Sequence, residues 1–235
     1  MRLALFGRGR MGRAVAERAR QAGHEIGAVL SSADAGRTWE QLVPTLRGHD
    51  TAIDFSTADA VLPHATACAA AHVPLVEGTT GWRELEPVVR SAVETSGGSL
   101  VYGANFSIGA NLFYRLVTHA EQLFRGFAEY EAFIEEAHHA AKRDAPSGTA
   151  LRLRDILTRA PGRPVPVAST RAGHIPGTHR VGFDSADDQI LLEHAARSRT
   201  GFAAGALVAA AWIADRGGVF TFDDVVNDIL GNAGR

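Results

Sequence analysis

Short apolar runs alternate with helical spacing through the first hundred residues, the pattern of a parallel sheet with crossover helices. Arg2 to Phe6 reads as a first strand, and Met11, Val15 and Ala19 recur at helical spacing before Gly23, a natural cap position. Glu25 to Leu30 and Thr51 to Phe55 read as further strands, the latter followed by an alanine-rich crossover helix over Ala58 to Ala71. Val73 to Glu77 is a fourth strand, Trp82 to Thr95 a helix and Ser99 to Tyr102 a fifth strand. The period is that of a Rossmann-like, doubly wound α/β domain.

Beyond this the pattern changes. Asn111 to Phe124 has helical spacing, and Tyr130 to Glu136 alternates like a strand with one charged face. Thr149 to Arg159 is an amphipathic helix, and residues 161–166, rich in proline, form a loop or extended connector. His179 to Asp184 and Gln189 to Ala195 read as two strands across a polar turn. Helical patterns return over Phe202 to Asp215 and Phe222 to Leu230. There is no internal repeat or low-complexity linker.

Composition narrows the functional classes. With 46% hydrophobic and 21% charged residues in 235, the chain fits one large or two small domains, not a disordered, collagenous or coiled-coil protein. A formal net charge of -2 supplies no global positive field for nucleic acid or an anionic membrane. No apolar run approaches the roughly 20 residues of a membrane span, and no secretory signal is visible. The single cysteine, Cys68, excludes an intramolecular disulfide and suits a reducing, cytoplasmic setting. It lies in the alanine-rich helix, where an inert core role is expected.

Gly7, Arg8, Gly9, Arg10, Met11 and Gly12 satisfy G-x-G-x-x-G directly between the first strand and the first helical pattern. There the first glycine permits the turn, the second lets a pyrophosphate approach the backbone, and the third lets helix and strand pack. The phosphates would rest on the helix N-terminus. At the end of the second strand, where an acid normally grips the adenine ribose, stands Ser31. Its hydroxyl, that of Ser32 or the carboxylate of Asp34 are alternative ribose partners, so NADH and NADPH both remain open. Gly78, Thr79, Thr80 and Gly81 follow the fourth strand, and Gly103, Ala104, Asn105 and Phe106 follow the fifth. Both segments lie at the carboxyl edge of the sheet, where ligands bind in open α/β folds.

Lys142 is the only lysine in the chain, all other basic positions being arginine. An ammonium can give up a proton where a guanidinium cannot. It stands in the densest chemistry of the sequence: Glu136, His138, His139, Lys142, Arg143, Asp144, Ser147, Gly148 and Thr149. Asp144 or Ser147 can cap the helix that follows, leaving the N–H groups of Gly148 and Thr149 to hold a carboxylate. With two imidazoles and two cations nearby, the segment suits an anionic small molecule that must receive a proton. No metal is expected: adjacent histidines on extended chain point to opposite sides, so His138 and His139 cannot readily share a zinc ion with His174 and His179.

These residues closely resemble the dihydrodipicolinate reductase family over nearly the whole chain. The likeness runs through Gly7 to Gly12, Asp54-Phe55-Ser56, Gly78 to Gly81, Ala104 to Ser107 with Gly109 and Asn111, His138 to Ala150, Arg171 to His179, and Arg199 to Gly205. The His138 to Ala150 block is the specific part. The resemblance implies an NAD(P)H-dependent reductase acting on a cyclic dicarboxylate in the diaminopimelate route to lysine. It implies His138 as acid/base group, Lys142 as proton donor, and His139, Ser147, Gly148 and Thr149 as substrate contacts. Gly7 to Gly12, Ser31, Gly78 to Thr80 and Gly103 to Phe106 would bind the dinucleotide. It further implies a dinucleotide-binding domain of residues 1–106 with 206–235, and an α+β substrate-binding and oligomerisation domain of 107–205 on a mixed sheet. Members are usually homotetramers joined through that sheet, and neither nucleic acid nor a membrane is an expected partner.

Overall fold

The computed structural model describes residues 1–34, 36–158 and 164–233. Its strands are β1 (Arg2–Phe6), β2 (Glu25–Leu30), β3 (Thr51–Asp54), β4 (Leu75–Glu77), β5 (Ser99–Tyr102), β6 (Glu131–His138), β7 (Val167–Arg171), β8 (Thr178–Asp184), β9 (Gln189–Ala195) and β10 (Gly218–Thr221). The α-helices are α1 (Arg10–Gln21), α2 (Trp39–Leu46), α3 (Val61–Ala71), α4 (Glu86–Thr95), α5 (Ile108–Phe124), α6 (Gly148–Leu157), α7 (Thr200–Ile213) and α8 (Phe222–Ala233). The chain divides into one unit of Met1–Ile108 with Thr200–Arg235 and another of Gly109–Arg199. The second joint falls ahead of α7, which keeps that alanine-rich helix whole.

The first unit is a parallel sheet in the order β10-β5-β4-β3-β1-β2. Its inner strands are apolar on both faces because both are covered, while the edge strand β2 alternates exposed and half-buried positions. In β1, Leu3 and Leu5 face the layer holding Val15, Ala19, Ala206, Ala210 and Ile213. Ala4 and Phe6 face Leu42, Leu46, Val61, Ala65, Cys68 and Val93. The alternation of a strand thus assigns each side chain to one of two cores. Cys68 is buried in the second of these, as core.

The second unit is built on a mixed sheet, β7-β6-β8-β9, in which β6 runs parallel to β7 and antiparallel to β8. Phe113, Tyr114 and Val117 of α5 and Leu153 and Leu157 of α6 pack with Ile134, Val181 and Phe183 of the sheet.

Several elements depart from the sequence pattern. β4 starts at Leu75 because Pro74 has no N–H to give to a ladder. The stretches over 58–71 and 82–95 each open with a 3₁₀ turn before the α-helix proper. α2, β7 and β10 were not expected. The expected 149–159 helix ends at Leu157, where Thr158 turns to extended backbone, while Arg159 and the first part of the 161–166 connector lie outside the described residues.

Candidate active site

The glycine loop has the geometry that its spacing requires. Gly7 has φ +96°, and a Cβ there would lie 2.5 Å from the Phe55 carbonyl oxygen. A Cβ on Gly12 would lie 2.0 Å from the Gly7 carbonyl oxygen, so helix and turn close against each other only with glycine. At Gly9 a side chain would meet nothing within 4 Å. Gly9 is also the N-cap of α1, without a side-chain cap and with no acidic residue in the first turn. The opening amides of α1 therefore face open space, with the exposed Arg8 and Arg10 beside them. These residues fit a pyrophosphate, and so fit a dinucleotide.

At the end of β2 the Asp34 carboxylate accepts from the Ser31 amide at 2.9 Å and pairs with Arg37 at 3.3 Å. Those bonds, the amide first, hold its carboxyl below the usual range. Asp34 is thus used in folding its own loop, and the Ser31 hydroxyl accepts a 3.3 Å bond from the Ala33 amide. Arg37 is a cation in this loop that the sequence reading passed over.

The loops after β4 and β5 line the same carboxyl edge. Thr79 is buried and Thr80 exposed. The Phe106 ring is core, 4.6 Å from that of Phe222 and edge-on to Phe55. Gly205 lets α7 pass this loop, since a Cβ there would overlap the Phe106 carbonyl oxygen.

In the second unit the titratable residues gather at the end of β6. Alternation puts Ile134, Glu136 and His138 on the buried face and Glu131 and Glu135 on the exposed one. His139 follows half-buried on the opposite side. The Glu136 carboxylate bonds through Oε2 to His138 Nδ1 and through Oε1 to Arg171 at 2.7 Å and the Ser147 amide at 3.3 Å. Register explains the group: His138 stands beside Arg171 of β7, and Glu136 opposite His179 of β8. Arg171 also donates to the Asp144 carbonyl at 2.5 Å.

Ser147, not Asp144, caps α6: its Oγ accepts from the Ala150 amide at 3.2 Å and bonds to His179 Nε2 at 3.1 Å. Asp144 instead holds the Lys142 ammonium at 2.8 Å. Because the capping hydroxyl accepts from the Ala150 amide, the first-turn amides of Gly148 and Thr149 have no acceptor within the helix. Gly148 is exposed and Thr149 half-buried.

Electrostatics separates the roles. Burial opposes ionisation of Glu136, but bonds from Arg171, Ser169 and His138 outweigh it and hold the carboxyl down at about 2. Burial lowers the His138 pKa despite the Glu136 charge. It lowers that of His179 further, to about 4, assisted by the neighbouring imidazole of His138. An ionised Glu136 accepts the Nδ1–H hydrogen bond of a neutral His138, leaving Nε2 with the lone pair. Space over Nε2 is kept by Gly177, at φ +144°, where a Cβ would sit 3.1 Å from that nitrogen.

Glu136, His138 and His179 each offer a ligand atom, all within 4.8 Å of one another. Of these groups the carboxylate carries the Arg171 cation, His138 uses Nδ1 on the carboxylate and His179 uses Nε2 on the Ser147 hydroxyl. Glu136, Arg171, Gly177 and His179 are the members of this site to which the sequence reading gave no role here. For Glu136 the signal was present, since it shares the parity of Ile134 and His138 along the strand.

A glycine-loop α/β unit joined to an α+β unit with this carboxylate–imidazole–lysine array defines a class of dinucleotide-linked oxidoreductases. The chain belongs to the dihydrodipicolinate reductase family: the family's N-terminal model matches residues 1–106 and its C-terminal model residues 109–226. It is 34% identical to the 4-hydroxy-tetrahydrodipicolinate reductase of Christiangramia forsetii, over 99% of this chain and all of that one. It is 32% identical to that of Chromobacterium violaceum, over 93% of this chain and 95% of the other. Among solved structures it resembles a dipicolinate-bound dihydrodipicolinate reductase from Paenisporosarcina sp. TG-14, with TM-score 0.74 and 21% identity over 95% of this chain and 99% of that one. No described helix is long and apolar enough to cross a membrane.

Proposed function

We propose that this chain reduces 4-hydroxy-tetrahydrodipicolinate to tetrahydrodipicolinate with NADH or NADPH, in the diaminopimelate route to lysine. The observation that carries the reading is the ionised Glu136 holding His138, with Lys142 and the open first turn of α6 on the chain that follows directly. The bound dinucleotide supplies a hydride. What the chain supplies is a place for the anionic ring and a route for a proton. The amides of Gly148 and Thr149 take one carboxylate, and His139 contributes a further polar contact. The ring's 4-hydroxyl leaves as water, Lys142, held by Asp144, gives the balancing proton to the reduced ring, and His138 exchanges protons at this site through the Nε2 lone pair left by Glu136. Ser147 serves by fixing the helix start and His179, and its hydroxyl is used there.

On the cofactor side, Gly7, Gly9 and Gly12 with the exposed Arg8 and Arg10 receive the pyrophosphate, and Met11 lies in the same first turn. Ser31 meets the adenine ribose, and its uncharged hydroxyl repels neither cofactor. The loops Gly78 to Thr80 and Gly103 to Phe106 bound the nicotinamide end. Self-association as a homotetramer is supported by the edge strand β9, where Ile190 and Leu191 are 45% and 51% exposed. A cytoplasmic location is supported by the lone, buried Cys68.

The test couples condensation of pyruvate with aspartate semialdehyde to this protein and follows oxidation of NADH and NADPH separately. Turnover with either is expected, and none with both would sink the reading. Lys142→Arg keeps the charge but removes the readily released proton. It should fold and bind NADH while losing about 10²- to 10⁴-fold in kcat. A loss confined to KM would reduce Lys142 to a charge that holds substrate.

A further inference from the structure

Two carboxyl groups that the proposed reaction does not use lie side by side in the first unit. Asp54 ends β3 and Glu77 ends β4, paired across the two strands, and both are 0% exposed. Asp54 Oδ1 accepts from the Ser56 amide at 2.8 Å and from the Thr79 hydroxyl at 3.4 Å, and Oδ2 meets His64 Nδ1 at 2.6 Å. Glu77 Oε1 accepts from the Thr79 amide at 2.7 Å, whereas Oε2 is buried with no donor among the described residues. The Ser56 amide also reaches the Thr79 hydroxyl at 3.1 Å, and the Trp82 indole donates to the Thr79 carbonyl at 2.8 Å.

Among the described residues, the other polar groups facing the pair put no lysine or arginine on either carboxyl. His64, stacked on Phe6, serves Asp54. The Cys68 thiol of α3 is buried, and its pKa is pushed up by burial and by both carboxyls. The hydroxyl of Tyr102, beside Glu77 on β5, is turned to Glu86 at 2.6 Å and Arg90 at 3.1 Å. Two carboxyls buried side by side, with an imidazole on Asp54 alone, oppose each other's ionisation, and a carboxyl oxygen with no donor among the described residues is satisfied by carrying the proton itself.

The geometry points to Glu77 as a neutral carboxylic acid that shares its proton with Asp54 and, through Thr79 and Ser56, positions the cofactor-facing loops after β4 and β3. Each end of this brace is a backbone amide of a loop, so the pair sets where Gly78, Thr79 and Thr80 present themselves. Phe55 closes the same corner, since a Cβ on Gly78 would lie 2.2 Å from its ring. Burial and the Asp54 charge both act to keep Glu77 protonated, against the Thr79 bonds.

The inference rests on the dinucleotide reading, and two measurements separate them. Carbon-13 carboxyl resonances of the wild-type protein, assigned with Glu77→Gln, should show Glu77 protonated near pH 7, well above the ordinary glutamate range. An ionised Glu77 there overturns the proposal. In calorimetry with NADH, Glu77→Leu, which removes both the Thr79 acceptor and the shared proton, should bind about tenfold weaker or worse. Glu77→Gln restores an acceptor and a donor and should stay within about threefold of wild type. Wild-type affinity in the leucine variant, or tenfold loss in the glutamine variant, refutes the positioning role. Should the leucine variant not fold, the glutamine variant and the carboxyl resonance decide. If the wild type binds neither NADH nor NADPH, the dinucleotide reading fails and the positioning role with it, while the resonance still reports whether the acid pair exists.

Discussion

Glu77 and Glu136 occupy matching places in their two units, each buried at or near the carboxyl end of a central strand. Their surroundings drive them to opposite charge states. Glu136 has a guanidinium on one oxygen and an imidazole on the other, and these outweigh burial. Glu77 has an amide on one oxygen and a second carboxylate beside it, and burial wins. The same side chain is therefore a fixed charge that orients the His138 imidazole in one unit and a neutral brace for loops in the other. Partner chemistry, not depth, decides which.

The sharpest way to break the contrast is to neutralise Glu136. Glu136→Gln leaves Arg171, whose side chain is 16% exposed, without its ionic partner, and Arg171 Nε already lacks a bond. Removing one member of a buried pair costs about 3–5 kcal/mol, which denaturant unfolding at neutral pH would register. The surviving folded fraction should also lose kcat, because His138 Nδ1 is no longer held by a charge. A variant as stable and active as wild type would mean that Glu136 is not the counterion of Arg171.

How much of this was visible in the chain differs between the same two regions. The glycine loop was legible because a tight turn, a phosphate approach and a helix contact each demand glycine at a fixed spacing. Strands β1, β3, β4 and β5 were legible because burial on both faces writes them as apolar runs, and the edge strand β2 by its short apolar run alone. α2 was not: Pro44 lies inside it, and its start depends on Gln41 reaching back to the Thr38 amide at 3.0 Å. β10 spans only four residues, all half-buried, and acquires its identity by pairing with β5, far away in sequence. β7, with Ser169 and Thr170, has no apolar period at all. In the site, the His138 to Thr149 block announced itself by composition, whereas Arg171 and His179 reach it only through strand register. Asp54 stood in a recognised segment and Glu77 at a strand end, but no local pattern says that the two carboxyls meet.

His179 tests the contrast from the side of a base. Its pKa, ordinarily 6.5, falls to about 4 in the fold through burial, so between these values the unfolded chain takes up a proton that the folded one refuses. Stability contributed by the neutral imidazole is complete above about pH 6.5 and is lost as pH falls toward 4. The window is worth at most about 3 kcal/mol at 1.36 kcal/mol per unit. Glu136 acts with the same sign lower down, between 4.5 and about 2. Denaturant midpoints across pH 4 to 7 should therefore show a slope that His179→Gln flattens. An unchanged slope would place the acid sensitivity elsewhere.

Glu77 should act with the reverse sign. A carboxyl whose folded pKa is raised binds its proton more tightly when folded, so as pH climbs above 4.5 the unfolded chain releases a proton that the fold retains. Stability then falls with rising pH, opposite to the contribution of Glu136. Glu77→Gln removes this penalty without changing the shape of the side chain. It should stabilise the protein near neutral pH, read as a rise in Tm. The gain should shrink to nothing as pH is lowered to about 4.5, where the unfolded glutamate is itself half protonated. Thermal melts of the two proteins at pH 4.5 and 7 read the difference directly. Destabilisation by Glu77→Gln that is largest at neutral pH would mean that Glu77 is ionised like Glu136, with a cationic partner that takes the place of the shared proton.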